Sequence, residues 1–152
     1  MQARTTRVTV GGQQWELRKM LPAVGSYIWQ RLMAAAFKAS QQVATQPVAE
    51  EPAKADEPTA SPEDKLRSLC VVAFMQLSYD DTAFIQNTCM KIVSRVELIG
   101  DTEAAIPIMQ QDGTWAAPDV MDNPFLITQL TTEVIVFNLA SFLAESSPAQ
   151  KL

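Results

Sequence analysis

The sequence predicts a mainly α fold: a small helical domain with an N-terminal β-hairpin and a second short hairpin or loop before the last helix. Apolar residues recur at helical spacing in four long segments, whereas strand-like alternation is confined to short stretches around Gly11-Gly12 and Gly113. With 152 residues, 47 % of them hydrophobic, the chain can build a core without disulfides or metals. We therefore expect residues 1–152 to form a single domain.

Residues 7–20 predict the first hairpin. Apolar and polar residues alternate on both sides of Gly11-Gly12, and this glycine pair can supply the positive φ angles of a tight turn. Two strands alone are unstable in water, so we expect their apolar face to lie on helices. The residues of that face are Val8, Val10, Trp15 and Leu17.

Residues 22–40 predict the first helix, because Pro22 suits a first-turn position and good helix formers follow it. The next segment, residues 41–62, holds four prolines and no aromatic side chain. Such a segment cannot bury enough apolar area to offset its ordering entropy. We expect a flexible, Pro/Ala/Glu-rich acidic linker inside the domain, and a binding role for it is the alternative.

Three further elements complete the predicted fold. Ser61-Pro62 begins a helix that is apolar nearly all round, and the next helix begins at Asp80 or Asp81 and ends at Gly100. The pattern then changes to short alternation around Gln111-Asp112-Gly113, which indicates a hairpin or an ordered loop. Asn123-Pro124 opens the last helix, which runs to about residue 144.

The composition argues against an enzyme. The chain has no histidine, the residue that most often serves as general base, nucleophile activator or metal ligand. Its adjacent acids lie in the linker or at predicted helix starts, where solvation or capping accounts for them. The glycine pair lacks a phosphate-loop context, and the spacing of Cys70 and Cys89 fits no zinc motif. We expect no catalysis, no cofactor and no metal.

Charge and hydropathy limit the partners and the location. The net charge is −5, and only residues 1–40 are basic, whereas nucleic-acid binders usually have a basic balance throughout. We therefore expect no nucleic-acid partner. No apolar run is long enough to span a membrane, and the first residues lack the apolar stretch of a secretion signal. We expect a cytoplasmic protein whose Cys70 and Cys89 are reduced and buried.

The last predicted helix, residues 124–144, carries apolar side chains on every side when its residues are placed at 100° intervals. Such a helix is either a central core helix or one that exposes an apolar face to a partner. The sequence favours the first interpretation and leaves the second open, also for the apolar helix of residues 66–77.

Four segments occur in an order that is typical of one protein family. They are a strand pair running into a basic patch at residues 8–22 (VTVGGQQWELRKMLP), the segment NTCMKIV at 87–93, the G-x-W loop at 113–115, and VIVFNLASF at 134–142. In this order they resemble the tail assembly chaperones of long, non-contractile-tailed bacteriophages. The likeness covers most of the chain apart from residues 41–62, and none of the segments is a catalytic signature.

The resemblance implies a chaperone that coats the aggregation-prone tape measure protein in the host cytoplasm and is absent from the finished virion. It also implies a longer form, made by ribosomal frameshifting near the end of the reading frame, whose extra domain recruits tail tube protein. For such a function we expect the client-binding surface to include or border six apolar residues. These are Phe74, Met75, Val134, Phe137, Phe142 and Leu143.

Three alternatives stay open. A structural head-tail joining or tail completion protein would also be small, but it would remain in purified particles. A small transcriptional or antitoxin-like regulator would bind duplex DNA with salt-dependent affinity, which the acidic net charge argues against. A helical homo-oligomer would use its apolar helix for self-association alone and would have no client.

Overall fold

A computed structural model describes the backbone of residues 4–44 and 61–145 and the side chains of residues 4–41 and 61–140. Within these ranges the chain forms four strands and five helices. In chain order they are β1 (Thr5–Val10), β2 (Gln13–Arg18), α1 (Pro22–Ala44), α2 (Pro62–Phe74), α3 (Tyr79–Met90), β3 (Val93–Ile99), β4 (Thr102–Pro107), α4 (Pro118–Met121) and α5 (Pro124–Glu145).

The predicted fold class, mainly α with two separate short hairpins, is wrong. The strands form one four-stranded antiparallel sheet in the order β1-β2-β3-β4, so the fold is a mixed α and β structure. The two hairpins are joined because β2 pairs with β3, and this pairing places Leu17 opposite Val93. Neither hairpin is an isolated ribbon.

The error lies in residues 91–107. We expected the third helix to continue to Gly100, but α3 ends at Met90 and residues 93–99 form β3. Gly100, with φ +67°, occupies the tight turn between β3 and β4 rather than a helix end. The predicted loop around Gln111-Asp112-Gly113 is present, and it is closed by a single antiparallel bridge between Met109 and Trp115.

The N-terminal hairpin is confirmed. Gly11 and Gly12 have φ angles of +64° and +78°, which suits the two-residue turn whose twist matches that of the flanking strands. Trp15 and Leu17 are buried, and α5 packs against β1 and β2. The indole N–H of Trp15 donates to the carbonyl of Val10 at 3.0 Å, so the buried ring leaves no polar group unpaired.

Polar side chains cap the N-terminal ends of three helices. The Ser61 hydroxyl accepts from the Asp64 amide, and the Asn123 carbonyl oxygen accepts from the Leu126 amide, both at 3.1 Å, as the sequence predicts. The prediction for α3 is wrong, because Ser78 caps it and not Asp80 or Asp81. Both acids stand instead in the first turn, where they face the positive end of the helix dipole.

Helix α5 lies at the centre of the molecule. It packs against α2 and α3 on one side and against the sheet on another, and Leu130, Val134 and Ile135 have no exposed surface. This burial agrees with the core-helix interpretation that the sequence favours.

The expected linker, residues 41–62, falls mostly outside the described residues. Its first four residues continue α1, and Ser61 and Pro62 begin α2. In the part of the chain that the structure describes, no helix is both long enough and apolar enough to cross a membrane.

Candidate protein-binding surface

A pocket of about 150 Å³ opens between the C-terminal end of α2, one side of α3 and the first half of α5. The Thr82 and Gln86 side chains lie on α3 next to the buried Ile85, which closes the interior side. The full lining is Phe74, Leu77, Thr82, Ile85, Gln86, Thr128 and Thr131.

Two threonines of α5, Thr128 and Thr131, line this pocket. The Thr128 hydroxyl donates to the carbonyl of Pro124 at 3.0 Å, and the Thr131 hydroxyl donates to the carbonyl of Ile127 at 2.7 Å. Because both hydroxyls donate to carbonyls of their own helix, neither leaves an unpaired donor in the pocket.

Three highly exposed apolar side chains stand close in sequence to residues that line the pocket; we call them the rim residues. Met75 directly follows the pocket residue Phe74 and is 79 % exposed. Tyr79, 87 % exposed, lies one helical turn before Thr82, and Phe125, 78 % exposed, lies three residues before Thr128. No other large hydrophobic side chain in the described residues is more exposed than these three.

A second apolar feature lies on the other side of α2, where a shallow groove of about 370 Å³ separates α2 from α1. The groove is lined by Ala36, Ala39, Ser40, Lys65, Ser68, Leu69 and Val72. Helix α2 thus stands between two apolar depressions.

The structure brings together two of the six residues predicted for the client-binding surface. Phe74 lines the pocket and Met75 is a rim residue. Val134 is completely buried in the core, and Phe137 is half-buried against it. The remaining two, Phe142 and Leu143, belong to the last turns of α5, and their side chains lie outside the described residues.

Phe137 and its neighbour Asn138 join α5 to the end of β2. The Lys19 ammonium donates to the Phe137 carbonyl at 2.9 Å and stands 4.2 Å from the centre of the Phe137 ring. The Asn138 side chain accepts from the Met20 amide at 2.8 Å and donates to the Arg18 carbonyl at 3.2 Å. Desolvation at this junction lowers the pKa of Lys19. The Phe-Asn pair in VIVFNLASF therefore has a packing role in this structure.

The cysteines take no part in the surface. Cys70 and Cys89 are free thiols buried in the core. Burial raises the pKa of Cys70 to about 12 and raises the pKa of Cys89 as well, so neither is a reactive thiolate near neutral pH. Among the described residues, no three His, Cys, Asp or Glu side chains are grouped so that they could hold a metal ion.

Sequence reasoning missed Tyr79, Phe125 and the pocket residues of α3 and α5. Tyr79 lies on α3 and Phe125 on α5, and the packing of α2 and α3 on α5 brings the pocket residues of these helices together. Tyr79 and Phe125 each fall in the first turn of a helix that a polar side chain caps. Single exposed apolar residues are common on protein surfaces, so no local signal distinguished these two.

Comparison with known proteins gives one match. A family model described as phage tail assembly chaperone protein, TAC, matches residues 11–150. No curated protein and no solved structure matches the chain.

Proposed function

Since the chain belongs to the family of phage tail assembly chaperones, we propose that it binds the tape measure protein in the host cytoplasm and keeps it soluble during tail assembly. In this proposal the chaperone leaves before the particle is complete and is absent from the mature virion. Recruitment of tail tube protein belongs mainly to a longer, frameshift-extended form of the same chain.

The observation that carries the proposal is the family match over residues 11–150, which includes every described helix and all strands except β1. The surface around α2 supports it. Two apolar depressions and three exposed apolar rim residues are what a protein needs if it must cover apolar stripes of another chain. The proposed activity requires binding alone and no catalytic step.

The physical mechanism rests on the hydrophobic effect. An unassembled helical client exposes apolar stripes, and burial of such surface yields roughly 25 cal/mol per Å². When the chaperone covers these stripes, the concentration of free apolar surface falls and aggregation slows. Tail tube subunits then displace the chaperone because their own contacts with the tape measure protein are reinforced by polymerisation along its length.

The experiment that tests this function is co-expression of the chain with the tape measure protein of the same phage. We expect the tape measure protein to become soluble and to co-purify with the chain. The matched variants are Met75→Asp, which places a charge on the rim, and Leu98→Asp, which places the same charge on a side chain of β3 that is 71 % exposed. Only Met75→Asp should reduce co-purification.

Two results would overturn the proposal. The first is a tape measure protein that still precipitates while the chain remains in solution. The second is recovery of the chain from purified particles in stoichiometric amounts, as measured by quantitative mass spectrometry. That second result would favour a structural head-tail joining or tail completion protein.

A further inference from the structure

We propose that the end of the sheet opposite the Gly11-Gly12 turn is a docking site for an acidic segment of the tape measure protein. The site consists of four cationic residues, which we call the basic end: Arg4, Arg18, Lys19 and Lys91. This inference rests on the proposed function, because it states which chemistry of the client the chain recognises there. The two apolar depressions beside α2 have no part in it.

Hydrogen bonds place the four residues of the basic end next to one another. The Lys19 amide donates to the Arg4 carbonyl at 3.2 Å, one position beyond the last pair of the β1–β2 register. The Arg18 amide donates to the Ile92 carbonyl at 3.1 Å, and the Arg18 guanidinium donates to the Lys91 carbonyl at 3.0 Å. The open ends of β1 and β2 therefore meet the end of α3 at this place, and both arginines there are exposed.

The chain's own acids leave the basic end unpaired. Among the described residues, no ion pair includes a residue of the basic end, whereas every arginine elsewhere is in one. Asp112 interacts with this end only at a distance, since hydrogen bonds from Thr114 and, to a smaller extent, the charge of Lys91 lower its pKa. Its carboxylate accepts from the Thr114 amide at 2.9 Å. An anionic partner would therefore meet cations that are available to it.

The geometry of the basic end also favours an anion. The Lys19 ammonium is held by the Phe137 carbonyl at 2.9 Å and lies over the Phe137 ring, so it is already ordered before a partner binds. Lys19 follows β2 opposite Arg4, and like charges on opposite residues of an antiparallel pair destabilise a sheet. A carboxylate bound between these two residues would relieve their repulsion.

Charge complementarity selects an acidic peptide as the occupant. The chain as a whole carries a net charge of −5, so the long row of phosphates in a nucleic acid would be repelled by the acidic surface beyond the basic end. A short run of Asp and Glu needs the basic end alone. A guanidinium has five N–H donors in a fork that matches a carboxylate, and Arg18 keeps donors free besides the one on the Lys91 carbonyl.

The first test uses fluorescein-labelled peptides of 25 residues that tile the tape measure protein, with binding to the full chain measured by fluorescence anisotropy. We expect the peptides that bind to contain several Asp or Glu residues close together. The same peptides with Asn and Gln in place of these acids should not bind, and high salt should weaken the acidic ones because exposed charges are then screened. If the amide peptides bind as tightly as their acidic parents, the inference is overturned.

A charge reversal tests the basic end itself. Arg4→Glu with Arg18→Glu changes two exposed cations of the site, and Lys38→Glu with Lys65→Glu makes the same change of net charge at exposed positions of α1 and α2. The first pair should raise the Kd of the best acidic peptide by about tenfold at low salt, since two attractive contacts become repulsive. The second pair should change it less than about twofold. Circular dichroism checks that both variants keep the fold, and the amide peptides remove the same attraction without altering the chain.

The remaining outcomes separate this inference from the proposed function. A labelled DNA duplex and a labelled single-stranded RNA are measured in parallel, and binding of either one without binding of any acidic peptide overturns the inference. If full-length tape measure protein co-purifies with the wild type but no acidic peptide responds to the Arg4 and Arg18 reversal, the inference fails and the proposed function stands. If the full-length protein does not co-purify with the wild type, the proposed function fails and the inference falls with it.

Discussion

Replacing Asn138 by alanine should lower the free energy of unfolding by about 1.5 kcal/mol, because its side chain connects α5 to the end of β2. The amide oxygen accepts from the Met20 amide, and the amide nitrogen donates to the carbonyls of Arg18 and Val134. Two of these three bonds join elements that are far apart in the sequence. Asn138 is therefore a tertiary contact and not only part of its helix.

The magnitude follows from these two bonds. Each typically contributes about 0.5 to 1.5 kcal/mol, so their loss costs about 1 to 3 kcal/mol. Alanine favours the helix over asparagine by roughly 0.5 kcal/mol, which offsets part of that loss. The control is Thr132→Ala, because the Thr132 hydroxyl donates only to the Thr128 carbonyl within α5. We expect that control to change stability by less than about 0.5 kcal/mol.

Equilibrium unfolding in urea, followed by circular dichroism, measures both variants. We expect Asn138→Ala to shift the midpoint while the slope of free energy against urea concentration stays unchanged. If Asn138→Ala loses no more free energy of unfolding than Thr132→Ala does, the reasoning is refuted. The Phe-Asn pair would then need another role, and direct contact with the client would be the first to test.

Three further predictions concern other parts of the structure. Phe137→Asp should lower the free energy of unfolding by at least about 2 kcal/mol, because a charge would replace a half-buried ring that contacts Lys19. A thermal melt measures this loss. An intact fold with lost client binding would instead place Phe137 on the client-binding surface. Gly100→Val should lower the free energy of unfolding by about 1 to 2 kcal/mol, since a β-branched residue is strained at φ +67°. An unfolding midpoint equal to that of the wild type would contradict the positive φ angle at this turn. Stability should fall as pH rises above about 9, because the pKa of Cys70 is about 12 in the fold against 9.0 for a free thiol, so the unfolded chain releases its proton first. Burial lowers the pKa of Lys19, and this raises stability with pH and so opposes the effect of Cys70. The test compares the urea midpoints of the wild type and Cys70→Ala at pH 8 and pH 10. An equal change of midpoint in both proteins would exclude Cys70 as the cause.

Local signals in the sequence were sufficient for several elements. The N-terminal hairpin was predicted because Gly11-Gly12 determines its turn, and α2 and α5 were predicted at their starts because Ser61 and Asn123 cap them. The true cap of α3 also had a local signal, since Ser78 stands three residues before Asp81 in the spacing of a capping box.

The strand pairing was harder to predict, and this accounts for the wrong fold class. Ile92, Val93 and Val96 satisfy helical spacing, but Val93 and Val96 are buried because they belong to a strand. What decides between the two patterns is pairing with β2, which lies more than 70 residues away in the sequence. The Gly100-Asp101 pair was the one local indication of a hairpin at this place.

The candidate surface could be predicted only in part for the same reason. Phe74 and Met75 were predicted because α2 is more apolar than a surface helix needs to be. The other members of the surface lie on α3 and α5, and nothing local shows that these helices meet beside the end of α2. Val134 illustrates the converse, since an apolar residue on an all-round apolar helix can be core or contact, and the structure buries it.

The central claim, that this chain is a chaperone for the tape measure protein, is tested most directly with purified components. Tape measure protein diluted from denaturant would be followed by light scattering, with and without a stoichiometric amount of the chain. We expect the wild type to suppress aggregation, Leu98→Asp to act as the wild type does, and Met75→Asp to protect poorly. If the tape measure protein aggregates equally fast with the wild-type chain present, the chaperone account is contradicted.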